Sequence, residues 1–357
     1  MKRNKFLDKY INLANEYKPK LQLILVCNVE GLTVDKDDYS GDSITSEYLT
    51  LQQYNKILSS LRQEGFDVIS YFDETEFMSD VLTKKCEKMH GQELLVINSA
   101  QKGTKVGRKS LIPAFCDLHH IYYNNSNAYV VSLCRDKYNS GCLLENWGFP
   151  VPESWLYRYN QGWVLNAKPP IDEKIILKLN YETSSIGLDK NNIYNYDESK
   201  DSLIDIISQK YKQDVIIQKF IYGYEVEVSF IYGKGTFVFP PVGIKLGDNK
   251  TLGDKILDYD IRKNHPYEFY DFMQECPETA PKIQECTKYI ASALNISGLG
   301  RIDYRITPQQ QYFVTDVATN PGYGDFSSTY HVFKTFGYSY CEMLTALVGI
   351  ALDKYIQ

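Results

Sequence analysis

One segment, IILKLNYETSSIGLDK, combines a lysine on a strand with a turn of small residues. The apolar run predicts a strand that carries Lys178, and Thr183, Ser184, Ser185 and Gly187 follow in the turn. Backbone N–H groups and hydroxyls in such a turn can surround phosphate oxygens, while a lysine supplies a point charge. The segment therefore indicates a phosphate site, although turns of this composition and exposed lysines are also common on ordinary surfaces.

A second segment, VIIQKFIYGYEVEVSFI, places polar groups at the end of an apolar strand. Gln218 and Lys219 end the strand, Gly223 marks a turn, and Glu225 begins the next strand. Apolar walls with a few polar contacts at the edge suit a planar ring of the size of adenine. The alternative is an ordinary hairpin whose Gln and Lys side chains are solvated.

A third segment, GLGRIDYRIT, is followed closely by QYFVTDVATNPGYGDFSS. Arg301 and Asp303 share one predicted strand, and Asp316 lies on the next. Mg²⁺ needs one or two carboxylates besides phosphate oxygens, so Asp303 and Asp316 could hold it between neighbouring strands. Arg301 projects on the same side as Asp303 and could stabilise a developing oxyanion. The alternative is a surface ladder of Arg and Asp side chains.

The elements that position these segments follow two patterns. Near the start of the chain, apolar runs alternate with helical stretches, which predicts an α/β layer with a parallel sheet. These runs cover residues 21–28, 66–73 and 93–100. Beyond Pro150 strands dominate, and they are predicted over residues 174–180, 214–221, 225–233 and 236–244. A segment of low periodicity at about 245–280 predicts a lid or binding loop before a helix over 280–294.

Composition and charge exclude several classes of protein. Hydrophobic residues make up 43% and charged residues 24% of the 357, which excludes collagen, coiled coil and long disorder. The net charge of −6 disfavours nucleic acid as a partner, because such binders usually carry a basic excess. No apolar run approaches the roughly 18 residues that cross a bilayer, and the eight cysteines form no CxxC motif. We therefore expect a cytoplasmic protein with reduced thiols and neither a membrane nor a nucleic-acid partner.

The three segments, in this order and spacing, resemble the ATP-grasp superfamily, and most closely its D-alanine–D-alanine ligase branch. The resemblance covers about residues 21–357. It implies an α/β protein, with α+β lobes in an ATP-grasp fold and an N-terminal Rossmann-like (pre-ATP-grasp) domain. The implied divisions are an N-terminal domain over 1–122, a central lobe over 123–213 and a C-terminal lobe over 214–357, with a lid at about 245–280.

The resemblance also implies an ATP site. The residues implied to bind ATP are Lys137, Lys178, Ser184, Ser185, Gln218, Lys219, Ile221 and Glu225. Among these, Lys137 would touch the α-phosphate and Lys178 would be its partner on the strand. The hinge at Gln218, where the family usually has Glu, would read adenine, and Glu225 would bind ribose.

Further positions are implied for catalysis, metal and substrate. Arg301 matches the transition-state arginine, and Ser184 of the phosphate turn is assigned to catalysis with it. Asp303 and Asp316 match two carboxylates that hold Mg²⁺, with Asp316 in place of a more usual Glu. The positions implied to face the substrate carboxylate are Gly322 and Ser327.

The metal motif departs from the family pattern, which reads acidic-x-Asn-x-x-Pro-Gly. This chain has Ala318 at the position of the metal-binding Asn, so a second Mg²⁺ has lost a ligand. Asn320 is a candidate replacement if the turn is rebuilt. Because two metals normally neutralise the transferring phosphate, the departure predicts that phosphoryl transfer is slowed or abolished.

Positions on the substrate side differ as well. Arg262 and Lys263 align with a Lys–Tyr pair of the lid, so the tyrosine that closes over the first D-alanine is absent. Glu47 is the nearest candidate for the acid that holds the first substrate's ammonium. The loop SAQKGTKVGRKS carries Arg108 among four cations where the family has acids. It predicts a negatively charged substrate near Arg108, or else a solvated basic loop, and D-alanine is not the expected substrate.

These features predict an ATP-dependent carboxylate–amine ligase. A carboxylate would take the γ-phosphate of ATP to become an acyl phosphate, and an amine would attack it to form a peptide-like amide bond. The partners would be small-molecule carboxylate and amine substrates of amino-acid or peptide type, and family members are often dimers, which suggests a homodimer. Two alternatives stay open: an ATP-binding pseudoenzyme that acts as a scaffold or regulatory partner, and a kinase-like enzyme without an amine step.

Overall fold

In the part of the chain that the structure describes, three sheets, one parallel and two antiparallel, make up the framework. The computed structural model describes residues 3–35, 38–39, 43–85 and 92–356, apart from the side chains of residues 262 and 263. Each sheet corresponds to one stretch of the chain, so the sheets are described in chain order.

The N-terminal sheet is parallel, with the strand order β2-β1-β3-β4. Its strand β1 is buried at every position, because alternate residues pack into apolar clusters on opposite faces of the sheet. The predicted α/β layer is therefore confirmed. Its elements are α1 (Lys5–Tyr17), β1 (Leu21–Cys27), α2 (Leu51–Gln63), β2 (Asp67–Tyr71), α3 (Glu74–Leu82), β3 (Glu93–Ser99), α4 (Leu111–Leu118) and β4 (Tyr122–Tyr123).

The second sheet is antiparallel, with the strand order β6-β5-β9-β7-β8. Its strand β9 pairs with β5 and β7, so residues 215–219 lie in the same sheet as strands that precede residue 213. The elements of this part are α5 (Ala128–Arg135), α6 (Lys137–Asn146), β5 (Ser154–Arg158), β6 (Gly162–Trp163), β7 (Lys174–Leu179), β8 (Ile193–Asn195), α7 (Asp201–Tyr211) and β9 (Val215–Lys219).

The third sheet has the strand order β13-β12-β10-β14-β15, with β11 paired to β10. One face of the sheet packs against α10 in an apolar cluster, which leaves the opposite face for polar side chains. The elements are β10 (Tyr224–Tyr232), β11 (Thr236–Val238), β12 (Val242–Leu246), α8 (Tyr259–Asn264), β13 (Tyr267–Asp271), α9 (Phe272–Glu275), α10 (Thr279–Ala293), β14 (Gly298–Ile306), β15 (Tyr312–Ala318), α11 (Ser328–Thr335) and α12 (Tyr340–Leu352).

Two predictions for this part of the chain need correction. The strand predicted over 236–244 is two strands, because Pro240 and Pro241 lack the N–H groups that would continue the ladder. The segment of low periodicity at 245–280 contains α8, β13 and α9. Its irregular part lies between β12 and α8, where Ile256 and Leu257 line a cleft.

The two ends of the chain pack together, since α1 and α12 share the largest apolar cluster. Gly349 allows the close approach, because a Cβ at this position would lie 2.0 Å from the backbone oxygen of Tyr10. Among the described residues, no single helix has both the length and the apolar character to span a bilayer. The pair α11 and α12 meets that test only jointly, with a bend of 105° between the helices.

Candidate functional site

A cleft between the second and third sheets gathers most of the predicted nucleotide-binding residues. It holds about 880 Å³ of space free of atoms, part of it open to solvent. The predicted residues that line it are Lys137, Lys178, Ser185, Gln218, Lys219, Ile221, Glu225, Asp303 and Asp316. They come from all three motifs and from α6, so the fold brings the separate motifs to one place.

One part of the cleft is apolar. Its side chains come from β7, from the connections that follow β7 and β9, and from the segment before α8, and they are Ile176, Leu188, Phe220, Ile221, Ile256 and Leu257. Beside them, the buried amide of Gln218 accepts a hydrogen bond from Lys178 Nζ at 2.9 Å and donates one to Ser154 Oγ at 3.2 Å. Lys219 instead places Nζ 3.1 Å from the Glu173 carboxylate. An apolar slot with polar groups at its edge suits a planar ring.

Two lysines belong to the polar part of the cleft. Lys137, the first residue of α6, donates to the backbone oxygen of Glu182 at 2.6 Å, and its Nζ lies 3.6 Å from the Asp316 carboxylate. Burial lowers the pKa of Lys178 to about 8, although the carboxylates of Asp316 and Glu225 oppose the shift. A phosphate group in the cleft would favour the charged lysine, because an anion nearby stabilises the ammonium form.

The predicted phosphate turn has an unusual backbone. Ser184 and Ser185 have φ of 52° and 57°, and Gly187 follows with φ of 74°. Left-handed conformations cost non-glycine residues about 1 kcal/mol or more, and such strain is typical of ligand-binding turns. Ser185 Oγ donates to the backbone oxygen of Leu257, which ties the turn to the segment before α8. Ser185 lines the cleft, whereas Ser184 is not among its lining residues.

The structure pairs Glu225 with an arginine that the sequence analysis missed. Arg305 lies directly opposite Glu225 in the β10–β14 ladder, and its Nε is 2.7 Å from the Glu225 carboxylate. Arg305 also donates to the backbone oxygens of Gly223 and Lys255, so it is held on three sides. The signal was present in the sequence, because Arg301, Asp303 and Arg305 follow the period of two along one strand.

Acidic side chains form a row across three neighbouring strands. In register, Glu227 lies opposite Asp303, and Asp303 lies opposite Asp316. Arg301 binds Asp303 through two parallel contacts of 2.6 and 2.8 Å, and its Nη1 lies 3.3 Å from Glu227. Burial raises the pKa of Asp303 to about 7, with Glu227 and Asp316 adding to the rise and Arg301 opposing it. Burial would also raise the pKa of Asp316, but Lys137 and Lys178 keep it below its ordinary value.

The donor set at Asp303 and Asp316 fits Mg²⁺. The two carboxylates lie opposite each other on adjacent strands and line the cleft together with Lys137 and Lys178. This matches the preference of Mg²⁺ for one or two carboxylates completed by phosphate oxygens. A cation between them would also offset the raised pKa of Asp303, because a positive charge stabilises the carboxylate form.

Asn320 does not complete this donor set in the structure. Its amide oxygen accepts from Asn125 at 2.5 Å, and its amide nitrogen donates to the backbone oxygen of Asn98 at 2.9 Å. Both groups of the side chain are therefore engaged with residues that precede the second sheet, and the structure does not bring Asn320 to the two carboxylates. The turn after β15, which contains Asn320, is thereby hydrogen-bonded to the end of β3.

Glu47 lies in a buried ion-pair cluster, with a side chain that is only 1% exposed. Its carboxylate lies 3.3 Å from Arg108, 3.3 Å from Lys109 and 3.4 Å from Arg135. It also accepts a hydrogen bond from the backbone N–H of Thr183 at 2.9 Å. Although burial opposes the shift, the three cations hold the pKa of Glu47 well below its ordinary value. In this arrangement the carboxylate links the N-terminal domain to the phosphate turn and is not open to a substrate's ammonium.

Arg108 belongs to the same cluster. Its guanidinium lies 2.7 Å from the Glu182 carboxylate, and both side chains are nearly inaccessible to solvent. Next to it, burial together with Arg135 lowers the pKa of Lys109 to about 7, against the pull of Glu47. Carboxylates of the chain itself therefore neutralise Arg108 and Lys109 of the basic loop. The sequence offered two interpretations of these cations, a site for a negatively charged substrate and a solvated loop, and this buried arrangement corresponds to neither.

The other residues predicted to face a substrate are Ser327, Gly322 and Arg262. Ser327 caps α11, since its Oγ accepts from the N–H of Tyr330 at 3.1 Å and donates to the backbone oxygen of Gly324 at 2.7 Å. Gly322 has open space where a Cβ would lie. The backbone of Arg262 is part of α8, but its side chain lies outside the description.

Comparison with known proteins gives consistent matches. Residues 152–349 match the family model described as D-ala D-ala ligase C-terminus. The D-alanine–D-alanine ligase of Acetivibrio thermocellus is 23% identical over 92% of this chain and 90% of its own length. The ligase of the same name from Pseudomonas fluorescens is 22% identical over 85% of this chain and 87% of its own.

Solved structures show the same likeness in three dimensions. The D-alanine–D-alanine ligase of Bacillus anthracis, solved in complex with ATP, has a TM-score of 0.64 at 18% identity and covers 93% of this chain and 97% of its own. The VanG D-Ala:D-Ser ligase of Enterococcus faecalis has a TM-score of 0.63 at 18% identity, covering 93% of this chain and 99% of its own.

Proposed function

Because this chain belongs to the D-alanine–D-alanine ligase family, we propose that it is an ATP-dependent ligase that joins a small-molecule carboxylate to an amine. The family model covers more than half of the chain, from residue 152 to residue 349. Together with the structural likeness over 93% of the chain, this match confirms the predicted family and the predicted ATP-grasp fold.

The observation that carries the proposal is the convergence of the motifs in one cleft. An apolar slot, two lysines, a strained small-residue turn and two facing carboxylates line the same space between two sheets. Each motif on its own had an ordinary structural explanation. Their convergence favours a nucleoside triphosphate as the ligand. The apolar slot suits the base, the lysines and the turn suit the phosphates, and the two carboxylates suit the cation that accompanies the phosphates.

The proposed reaction has two steps. A carboxylate oxygen of one substrate bonds to the γ-phosphorus of ATP while the bond to the bridging β–γ oxygen breaks, and ADP leaves. The amine of the second substrate then attacks the acyl carbon, the carbon–oxygen bond to phosphate breaks, and the amine loses a proton. In the first step Lys137, Lys178 and Arg301 would offset the charge on the phosphoryl group.

Asp303 and Asp316 are the residues that would hold Mg²⁺. When bound, the ion would neutralise phosphate charge during transfer. Arg301 binds both oxygens of Asp303, which fixes the position of this carboxylate directly opposite Asp316 in the ladder of β14 and β15. Lys137 approaches Asp316 from α6 and thereby places the helix next to the same carboxylate.

The substrates we propose are amino-acid or peptide-like molecules other than D-alanine. Glu47 supports this, because an ammonium would have to displace Arg108, Lys109 or Arg135 from its carboxylate. Removing one partner of a buried charge pair costs several kcal/mol, about 3–5. The VanG ligase, whose name pairs D-Ala with D-Ser, supports the idea that the substrate pair can differ between proteins of this fold.

The test is ligation by the purified protein with Mg·ATP and a matrix of amino acids and short peptides as paired substrates. ADP release is followed by a coupled assay and amide products by mass spectrometry, with Lys178→Met as the inactive control. We expect one amide per ADP for a carboxylate and amine pair, and no dipeptide from D-alanine alone. If no pair releases ADP above the rate of Lys178→Met, the ligase proposal is refuted, and a phosphorylated product without amide would favour a kinase-like reaction.

A second candidate function is an ATP-binding pseudoenzyme acting as a scaffold or regulatory partner. Ala318 lies where the family has a metal-binding Asn, and Asn320 is engaged elsewhere. ATP binding without turnover in the substrate matrix would support this candidate. A large gain of turnover in Ala318→Asn would then locate the lost activity at the second metal position, with Thr319→Asn as a control on the neighbouring residue.

A further inference from the structure

Glu227 is a buried carboxylate next to the catalytic arginine that no sequence motif singled out. Its side chain is 2% exposed, and it lies on the same strand as Glu225, two residues further along. Residues two apart on a strand share a face, so Glu227 projects toward the cleft side of the third sheet with Glu225. The register places it directly opposite Asp303 on β14.

The guanidinium of Arg301 is held by carboxylates from two strands. Nε and Nη2 contact Asp303 at 2.6 and 2.8 Å, and Nη1 lies 3.3 Å from Glu227. Burial would lower the pKa of Arg301, but Asp303 and Glu227 together raise it above its ordinary value. The two carboxylates that hold Arg301 differ in their distance from the proposed metal position. Asp303 is expected to bind Mg²⁺ together with Asp316, whereas Glu227 lies one strand further from Asp316.

Glu227 also reaches the substrate side of the site. Ser328 Oγ donates a hydrogen bond of 2.5 Å to the same carboxylate oxygen that contacts Arg301. Ser328 is the first residue of α11, and the preceding Ser327 caps the helix where the substrate carboxylate is expected. One oxygen atom therefore connects the arginine of phosphoryl transfer to the start of the helix at the substrate position.

We propose that Glu227 is the positioning residue that keeps Arg301 aimed at the γ-phosphate when Asp303 binds metal, and that it fixes the start of α11 at the same time. The inference rests on the proposed function, since it assigns a role within the same phosphoryl transfer. Arg301 would act on the charge that develops in the transition state, so an effect of Glu227 should be small on ground-state nucleotide binding and large on the transition state.

The test compares two nucleotide probes and needs no knowledge of the substrates. AMP-PNP with Mg²⁺ reports the ground state, and ADP with Mg²⁺ and aluminium fluoride mimics the transferring phosphoryl group. In Glu227→Gln, which keeps the shape and removes the charge, we expect binding of the aluminium fluoride complex to weaken about tenfold, as expected for a misaligned transition-state group. The affinity for AMP-PNP should change less than about twofold.

Two further variants keep the result interpretable. Ser229→Ala is the matched control, because Ser229 is buried on the same strand and contacts α11 through Thr329, and it should change neither affinity. Ser328→Ala removes only the hydrogen bond to Glu227 and decides the matter if Glu227→Gln fails to fold; we expect a loss of about threefold with the aluminium fluoride complex alone.

The outcomes separate the two proposals. If wild-type protein binds neither probe, the ATP-dependent function falls and this inference falls with it. If wild-type protein binds both probes and Glu227→Gln weakens both equally, or neither, Glu227 is a structural ion-pair partner and its positioning role is refuted while the proposed function stands. Once substrates are found, a fall in kcat with an unchanged KM for ATP in Glu227→Gln gives independent support.

Discussion

Replacement of Arg108 by Met tests whether the buried ion-pair cluster holds the N-terminal domain to the phosphate turn. The change keeps most of the volume and apolar stem of the side chain but removes the charge. Arg108 bridges Glu182 at 2.7 Å and Glu47 at 3.3 Å, and these three side chains are 1–3% exposed. The variant therefore leaves two buried carboxylates with less compensation.

The magnitude follows from burial and from the partners that remain. Breaking a buried charge pair by removing one partner costs about 3–5 kcal/mol. Lys109 and Arg135 still contact Glu47 in the variant, so we expect the lower end, about 3 kcal/mol. For a cooperative unit of domain size this corresponds to a fall in Tm of roughly 6–12 °C.

The loss of stability in Arg108→Met should be larger near neutral pH than in acid. In the folded wild-type protein the pKa of Glu47 is held well below its ordinary value of 4.5. Its contribution to stability is therefore fully present above pH 4.5 and is lost as the pH falls toward the depressed folded pKa. Without Arg108 this depression is smaller, so the difference in stability between the proteins should be greatest near neutral pH and should shrink in acid, as Glu47 takes up its proton in the folded variant before it does so in the folded wild type.

The assay is thermal and urea unfolding of both proteins between about pH 2 and 8, monitored by circular dichroism. The matched control is Lys56→Met, which removes an ion pair with Asp325 that also joins distant parts of the chain but is 48% and 33% exposed. That control should cost less than about 1 kcal/mol. Two results would refute this reasoning. Either Arg108→Met has the same free energy of unfolding as Lys56→Met, or the loss of stability in Arg108→Met does not change with pH, and in both cases the cluster does not stabilise the fold through its buried charges.

Three further predictions concern the lysines and the packing of the chain ends. Lys178→Met should weaken ATP binding about tenfold or more, and wild-type affinity, measured by calorimetry, should fall as the pH rises through about 8, because the lysine then loses its charge. Gly349→Ala should cost at least about 2 kcal/mol in urea unfolding, because its Cβ would lie 2.0 Å from the Tyr10 oxygen, whereas Gly141→Ala, in helix α6 with open space, should gain about 0.5–1 kcal/mol. Lys109→Met should abolish a rise in wild-type stability between about pH 7 and 10, since the pKa of Lys109 is lowered to about 7 and the unfolded chain binds its proton more tightly.

The sequence singled out many of the residues that line the cleft, because its signals there are local. Lys178, Gln218 and Glu225 each stand where an apolar strand ends or begins, and strand ends are readable from alternation and turn residues. Asp303 and Asp316 were expected to face each other, and the register confirms it, because two strands joined by a short connection pair with their neighbours in sequence.

Local patterns of strands and turns could not predict contacts between segments that are distant in sequence. Asn320 was expected at the metal, but its amide bonds Asn125 and Asn98, more than 190 positions away in sequence. The sheet that contains β9 was not readable from the sequence for the same reason, since its partners β5 and β7 are set by the assembled sheet and not by its own apolar pattern.

By itself, then, the sequence determined which residues end the strands, the charges they carry and the family to which the motifs belong, because these depend on periodicity over a few residues. Only the tertiary structure decided what the charges do. Glu227 became a partner of Arg301 through the register of β10 and β14, and Glu47 was drawn into a buried cluster by cations from two separate segments. The energy of a buried charge is set by the partners that folding places within a few ångströms, and no local pattern encodes those distances.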